Sequence, residues 1–493
     1  MNEIIFVVNS NRVHLYFWNC IKDLTQECVS FKATILINER AKNKNKFVFN
    51  SIINYVDSKF SNHKTNPLSL LNIEEQNLGN KITITRNHED LKLSDWIIFE
   101  NKPSESKNLI NRSKNGFLLL EVNQNTVIWD VLNQSSITLN ILHNNLASKN
   151  WNLVSEIKLK KEVGIKNNIY KILHNYFIYL SKFIKNTDIS KLGTKSKHDS
   201  LITRKKKDNL LKVITIIYYL KLIFILLIRK INKKKLNWKI AIKIDHKLFF
   251  LKQPKKTFWA DPFIIKPNDK NLFVYFEELK QNNLGKISCI QLNQNFEIIK
   301  KEDIINTEYH LSFPNVFFKD DAYYMIPESS QNNTLQLYKC KHFPFKWDFQ
   351  MNLMENIRLL DAVWIHHNNL YWIFANKIED FEHENNERLY VYYSDDLFTN
   401  NWKPHIKNPV ISNAGFARNA GKFIYNNGKI IRVSQNCRDG YGQNLVFNEI
   451  KLLTVHDYME IKVNEIFPKK GYVGTHTFNE HENVGVLDFL IEE

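Results

Sequence analysis

The sequence predicts a multidomain chain: an N-terminal α/β domain, a basic helical connector and a C-terminal all-β propeller of five blades. Three observations predict it. A strand–turn–strand unit recurs five times in the second half of the chain. Strand-like runs alternate with helical stretches over residues 1–150. The excess positive charge lies between these two regions, in a segment rich in aromatic and aliphatic residues at helical spacing. The expected boundaries are 1–160, 161–236 and 237–493.

The five units begin at Phe258–Ile265, Phe313–Phe318, Leu360–Ile365, Phe416–Phe423 and Gly474–Phe478. Each is an apolar run with β-branched and aromatic bias, followed by a polar turn such as Asn268-Asp269-Lys270-Asn271 or Asn426-Asn427-Gly428, then a second strand. With Asp261, Pro314, Asp361, Arg418 and His476 as markers, the spacings are 53, 47, 57 and 58 residues. A period near fifty with several strands per unit is a propeller signature. The first strand of a blade lines the central channel, so the markers are expected to converge on one funnel. Asn237–Ile244 alternates apolar and polar residues and has no partner within the repeats. It is expected to pair near Val484–Leu487 and close the ring, leaving no open sheet edge.

In the first domain, Ile4–Val8, Ala33–Ile37, Trp96–Glu100, Gly116–Leu120 and Ser136–Leu142 read as strands, and Val13–Leu24 as helical. No glycine-rich loop follows the first strand, so a dinucleotide site is not expected. The five cysteines, Cys20, Cys28, Cys289, Cys340 and Cys437, are scattered and odd in number, which reads as reduced thiols in a cytoplasmic protein. Nothing at the N-terminus reads as a secretory signal. With no metal-ligand spacing either, no cofactor and no metal are expected.

The net charge of +17 is unevenly distributed. Residues 1–150 hold 17 Lys+Arg against 14 Asp+Glu, residues 151–240 hold 22 against 5, and residues 241–493 hold 29 against 32. Asn168–Ile184 has helical periodicity, and Asn186–His198 reads as a polar loop. Basic runs at Arg204–Lys207 and Lys233–Lys235 bracket Val213–Ile228, an apolar stretch broken by Lys221. A spanning helix needs about 20 apolar residues. This one is short and charged, which fits a helix over 204–235 lying in an anionic membrane interface. A helix packed on either domain is the alternative. Nothing resembles a nucleic-acid reading motif, so no nucleic acid is expected. Peripheral attachment at the inner membrane face is.

The chemistry-bearing residues fall at strand ends of the repeats. Asp261, Asp361 and Glu328 are the candidate catalytic carboxylates, because glycosyl transfer and hydrolysis need one group to move a proton and one to steady an oxocarbenium-like centre. A turn or cap role is the alternative for each. Arg418, Arg432 and His476 occupy the corresponding places in the last two blades, and cations there suit a phosphate or carboxylate in the substrate. A salt bridge from Arg418 to Asp261 or Asp361 that only holds the channel together is the competing reading. Gln435, Tyr441 and Gln443 supply neutral hydrogen-bonding groups for sugar hydroxyls. Trp259, Glu278 and Asn315, in the same segments, complete the candidate binding set.

Two resemblances add to this. Glu121-Val122-Asn123, Trp129-Asp130-Val131-Leu132 and the strand Ser136–Leu142 resemble the formyltransferase fold. That family works with an Asn, a His and an Asp, and Asn123 stands where the His is expected, so the resemblance implies a scaffold without the chemistry. In the C-terminal half, WADPF (259–263), FPNVFF (313–318), MIPES (325–329), ARNAGKFI (417–424), IRVSQNC (431–437), YGQNLVFNEI (441–450) and GTHTFN (474–479) resemble the N-terminal domain family of glucosamine inositolphosphorylceramide transferase. The propeller as a whole resembles those of furanosidase-type glycoside hydrolases. That pattern implies Asp261 as base or nucleophile and Asp361 as modulator, with Arg418 and Asn419 standing where its acid is expected. Transfer from an activated donor needs no strong acid, so the expected activity is a glycosyltransferase. Its partners would be a sugar donor, nucleotide- or lipid-phosphate-linked, and a glycan or lipid acceptor in surface-polysaccharide or glycolipid assembly. A non-catalytic glycan-binding scaffold and a furanosidase-type hydrolase are the alternatives.

Overall fold

A computed structural model describes residues 2–8, 12–22, 24–25, 31–37, 51–60, 70–76, 79–86, 88–99, 107–121, 124–134, 136–144, 151–186, 208–231, 236–255, 257–268, 271–280, 284–379, 385–438, 440–468 and 471–492. The chain divides into two compact units, Met1–Asn232 and Lys233–Glu493.

The first unit is built on a seven-stranded sheet in the order Ile82–Thr85, Phe31–Ile37, Asn2–Val8, Trp96–Phe99, Phe117–Glu121, Ser136–Asn144, Asn152–Lys160. The first five strands are parallel, and Ser136–Asn144 runs antiparallel to both its neighbours. Ile4–Val8 is a continuous apolar run because this strand is buried on both faces. Strand order reverses between Asn2–Val8 and Trp96–Phe99, the switch point of a doubly wound sheet. Trp129–Leu132, read in the sequence as a turn before the strand Ser136–Leu142, is instead part of the helix Gln124–Asn133, and the first helix is confined to Leu15–Lys22. Asn123, Cys28, the loop residues 187–198 and the basic runs at 204–207 and 233–235 lie outside the described residues, as does the side chain of Cys20.

The expected connector is not a separate segment. Its helices Ile165–Asn186 and Asp208–Ile231 both belong to the first unit. Asp57 fastens them. Its Oδ2 accepts the Lys166 amide at 2.7 Å, its Oδ1 accepts the Tyr219 hydroxyl at 2.9 Å, and its carbonyl accepts Asn167 Nδ2 at 2.9 Å. Tyr219 and Tyr218 hydroxyls in turn accept the Ile165 and Gly164 amides, so side chains satisfy donors that a helix start leaves unpaired. Gly164 has φ +95°, and a Cβ there would come within 2.1 Å of Asp57 Oδ1, so only glycine admits this close approach. No described helix is long and apolar enough to cross a membrane.

The second unit is the five-bladed propeller. Blade 1 comprises Thr257–Asn268, Asn271–Lys280, Lys286–Leu292 and Ile298–Ile305. Blade 2 comprises Ser312–Lys319, Ala322–Glu328, Thr334–His342 and Lys346–Glu355. Blade 3 runs from Leu359–His367 to Ile411–Ser412, and blade 4 from Arg418–Asn419 to Tyr458–Ile466. Blade 5 joins the two ends of the unit. Leu236–Ile244 pairs antiparallel with Val484–Glu492, with Ala241 opposite Leu487, so the expected ring closure is present.

Inner strands of the first three blades share a β-bulge. Two residues, Asp261-Pro262, Phe313-Pro314 and Asp361-Ala362, each oppose one residue of the second strand. The first residue of each pair is left-handed, with φ of 51°, 45° and 48°. Phe313, rather than Pro314, is therefore the second-blade counterpart of Asp261 and Asp361. Such bulges re-aim side chains locally, and non-glycine residues at positive φ persist only where surroundings hold them. What holds them is a chain of carboxylates between blades. The Asp261 amide donates to Asp488 Oδ2 at 3.0 Å, the Phe313 amide to Asp261 Oδ2 at 3.2 Å and the Asp361 amide to Glu328 Oε2 at 3.2 Å. Asn479 and Asn315 donate to the carbonyls of the second bulge residues, Pro262 and Ala362, and Asn419 donates to that of Asp361.

Candidate functional site

At the bulges, buried charges pair in two sets. In one, His476 lies between two aspartates. Its Nε2 is 3.0 Å from Asp261 Oδ1 and its Nδ1 2.9 Å from Asp488 Oδ2. Thr477 Oγ1 donates to Asp261 Oδ1 at 3.0 Å, and the His476 and Thr477 amides both donate to Asp488 Oδ1. Burial works against the imidazolium, but Asp488 and Asp261 lift the His476 pKa to about 10. Burial likewise opposes an ionised Asp261, yet His476, Thr477 and Arg418 outweigh it and hold that carboxyl below its usual range. Asp261 is thus an anion at neutral pH with His476 as its counter-ion. Asp261, His476 and Asp488 could also gather a cation, since their ligand atoms lie within 4.8 Å of one another, although here the imidazole itself sits between the carboxylates.

In the second set, Arg418 Nε donates to Asp361 Oδ2 at 2.6 Å and Gln435 Nε2 donates to the same oxygen at 3.2 Å. Arg418 also donates to Asn386 Oδ1 and lies 4.9 Å from the Tyr441 ring centre. Burial raises the Asp361 pKa against the pull of Arg418, with Asp261 adding to the rise. The competing reading of Arg418 is half met, because its ion pair is to Asp361 and not to Asp261.

Two further carboxyls have no such cation. Glu328 accepts Ser330 Oγ at 2.9 Å and the Asp361 amide. Burial first, then Asp361, pushes its pKa up to about 8. Glu277 faces Asp261, Glu328 and Asp361, and burial with these neighbours raises it well above the usual range. Among the described residues its close partner is His310, 3.2 Å away, itself held below the ordinary imidazole value by burial. Glu328 is thus a neutral acid at pH 7 beside the ionised Asp261, and Glu277 is shifted in the same direction as Glu328. Environments that drive carboxyls apart in this way are how acid and base roles are assigned in enzymes.

Other expected site residues lie elsewhere. Glu278 points away from Glu277, since neighbours on a strand face opposite sides, and it binds Lys301 Nζ at 2.6 Å and Ser288 Oγ at 2.8 Å. Trp259 is core, packed on Phe276 with ring centres 4.6 Å apart. Arg432 is committed inside blade 4 to Glu460, Asn419 and the Phe416 carbonyl, so its charge is already compensated. Asn315 ties blade 2 to blade 3 rather than facing a ligand. Gln435 belongs to the Asp361 set. The Gln443 amide nitrogen of the backbone bonds Asn436, and its side-chain Oε1 is buried without a hydrogen-bond partner among the described residues. Tyr441 is the part-exposed member of the set.

Three participants were missed, Thr477, Asp488 and Trp238, and of the first-blade pair Glu277-Glu278 it is Glu277 that joins the set. Asp488 carried a signal, a carboxylate amid the apolar run Val484–Leu490. Trp238 is on the closing strand, 4.0 Å between ring centres from His476, and its ring centre lies 6.5 Å from that of Tyr441. Gly442 permits this layer, because a Cβ there would meet His476 Cβ at 2.6 Å and the Trp238 ring at 3.2 Å. Trp238 and Tyr441 therefore cover His476 and Arg418 with aromatic faces.

This unit is where similarity to known proteins falls. Residues 235–484 match the family described as glucosamine inositolphosphorylceramide transferase 1, N-terminal. The chain belongs to that family. It is similar to glucosamine inositolphosphorylceramide transferase 1 of Arabidopsis thaliana, 31% identical over 213 residues, which is 42% of this chain and 27% of that protein. The protein of the same name from Oryza sativa subsp. japonica is 29% identical over 214 residues, 42% of this chain and 28% of the relative. The matched stretch is thus about a quarter of the length of these curated relatives. Among solved structures, a family 117 glycoside hydrolase from the marine bacterium Zobellia galactanivorans aligns over 52% of this chain and 91% of its own, with 9% identity and a TM-score of 0.35. A beta-xylosidase, RS223, aligns over 48% and 91%, with 15% identity and a TM-score of 0.35.

Proposed function

We propose that the propeller is a glycosyl-transfer site that works in glycolipid or surface-polysaccharide assembly at the inner face of the membrane. The carrying observation is the meeting of four buried carboxyls in contrasting surroundings: Asp261 and Asp361 pair with His476 and Arg418, and Asp261 is held below its usual range, while burial lifts Glu328 to about 8 and Glu277 well above the ordinary value. Family membership and the transferase name of the relatives support the sugar chemistry. In this reading an acceptor hydroxyl loses its proton to Asp261 as its oxygen bonds the anomeric carbon. The bond from that carbon to the donor oxygen breaks, and the electron pair leaves with the donor's phosphate. Arg418 and His476 are the cations closest to that departing charge, and Trp238 with Tyr441 gives a sugar ring an aromatic face to lie on.

One observation favours a second reading. Glu328 is protonated at neutral pH, which supplies the acid that Arg418 and Asn419 do not. A furanosidase-type hydrolase would use it to protonate a leaving sugar oxygen while water attacks. The two readings separate in one experiment. The full chain is incubated with candidate sugar–phosphate donors and glycosides, with and without lipid or glycan acceptors, and products are identified by mass spectrometry. Sugar on the acceptor supports transfer, and free sugar from a glycoside without acceptor supports hydrolysis. Binding unaccompanied by turnover, unchanged in Asp261→Asn, leaves a glycan-binding scaffold.

For the first unit we infer a formyltransferase-like scaffold that does not transfer formyl groups. The doubly wound sheet with its reversal beside Asn2–Val8 supports the scaffold. Formyl release from a folate donor by the full chain would overturn it.

A further inference from the structure

The helix Asp208–Ile231 has two apolar faces, and among the described residues only one is covered. Tyr219 and Leu222 are buried in the core of the first unit, with Tyr218, Ile223, Ile225 and Leu226 packed against it. Ile216, Ile217, Leu220, Phe224 and Leu227 are each 55% to 61% exposed. At 3.6 residues per turn these five fall within an arc of about 100°. Single exposed apolar residues are ordinary, but five on one face of one helix mark a docking surface. The exposed Lys221 lies just beside the stripe in helical projection.

The chemistry around the stripe favours one occupant. Residues 201–240 hold 12 Lys+Arg against the single acid Asp208, with basic residues both before and after the stripe in sequence. A protein partner's apolar groove would account for the stripe but not for this one-signed charge, whereas an anionic lipid surface accounts for both. No described helix, this one included, is long and apolar enough to cross a membrane, and its inner face is already engaged through the Tyr219–Asp57 bond. We propose that this outer face lies in the interface of an anionic membrane, with Ile216, Leu220 and Phe224 among the acyl chains and the basic residues against head groups. This rests on the proposed action at a membrane for its meaning, but not for its physics, and it identifies the surface that docks.

The test is flotation of the full chain with vesicles of phosphatidylcholine, with and without phosphatidylglycerol, over a salt series. The wild type should float with phosphatidylglycerol vesicles and less so as salt rises. Ile216→Ser, Leu220→Ser and Phe224→Ser combined should reduce flotation at least tenfold at every salt concentration. Lys205→Glu, Lys206→Glu and Lys207→Glu combined should remove the salt-sensitive part. Because a serine variant could fail by misfolding, Phe224→Cys carrying a polarity-sensitive fluorophore gives an independent readout. Its emission should shift to the blue on adding phosphatidylglycerol vesicles. Equal flotation of the serine variant, or no spectral shift, overturns the proposal. A serine variant that changes oligomeric state while vesicle binding is unchanged also overturns it, and assigns the stripe to a second copy of the chain. Asp261→Asn should float like the wild type, so failure of the sugar chemistry and failure of membrane docking are read separately.

Discussion

Asp57 in the first unit and Asp261 in the propeller are both buried, and both accept a backbone amide and a side-chain hydroxyl. Their electrostatics are opposite. Among the described residues Asp57 meets no buried cation of the kind His476 supplies, and burial pushes its pKa up to about 6. Asp261 has His476 at 3.0 Å, and its pKa falls below the ordinary value although it too is buried. Hydrogen bonds from neutral donors position a carboxylate without fully replacing its hydration, whereas a buried counter-ion does replace it. The same residue type therefore fastens three helices in one unit and forms a permanent anion in the other.

The largest effect should come from removing that anion. Asp261→Asn keeps an oxygen for the Phe313 amide but ends proton acceptance, so turnover should fall on the order of 10³-fold, about 4 kcal/mol in barrier. The thermal midpoint should move little, because Asp488 still balances His476. A large fall in midpoint with unchanged sugar binding would make Asp261 a structural ion-pair partner instead. Glu328→Gln should reduce hydrolysis by about 10²-fold or more and abolish any alkaline limb near pH 8 in the rate profile. An unaltered limb would assign it to another group, with Glu277 next.

Asp57→Ala should do the reverse of Asp261→Asn. It leaves the Lys166 amide and the Tyr219 hydroxyl without their acceptor, which should destabilise the first unit by about 3 kcal/mol while sugar binding by the propeller is unchanged. Denaturant titration read by hydrogen exchange over residues 165–180 measures the first, and calorimetric titration with the sugar ligand the second. Trp238→Ala, which removes one wall of the aromatic cover, should weaken sugar affinity by about tenfold with little change in turnover at saturation.

Titration gives the gentlest comparison. Asp57, raised from 3.8 to about 6, binds its proton more tightly when folded, so stability of the first unit should fall as pH rises through that window. Asp261, depressed, contributes stability that is present above the ordinary carboxyl range and lost as pH drops below it. His476, raised from 6.5 to about 10, contributes stability that is full below pH 6.5 and lost as pH rises through 10. Hydrogen exchange at residues 165–180 and 257–268, followed from below the ordinary carboxyl range up to about pH 10, should show these trends. Parallel slopes in the two segments would remove the distinction between the aspartates.

The sequence by itself determined the propeller. Five strand–turn–strand units and one orphan strand at 237–244 report local β-propensity and polar turns, and ring closure follows because an orphan strand and an open edge must find each other. It also placed Asp261 and Asp361 at equivalent positions of their repeats, and both fall at the inner-strand bulges. The tertiary structure alone decided how those charges pair. Whether Arg418 bonds Asp261 or Asp361, and whether Glu277 or Glu278 faces the channel, depends on a one-residue register at a bulge and on which blades are neighbours. Asp488, Thr477 and Trp238 join the site only when the last strand meets the first, across more than two hundred residues. Helical periodicity made Val213–Ile228 legible as a helix, but hydropathy is the same on both its faces. Packing of Tyr219 and Leu222 against the core separated the covered face from the exposed one.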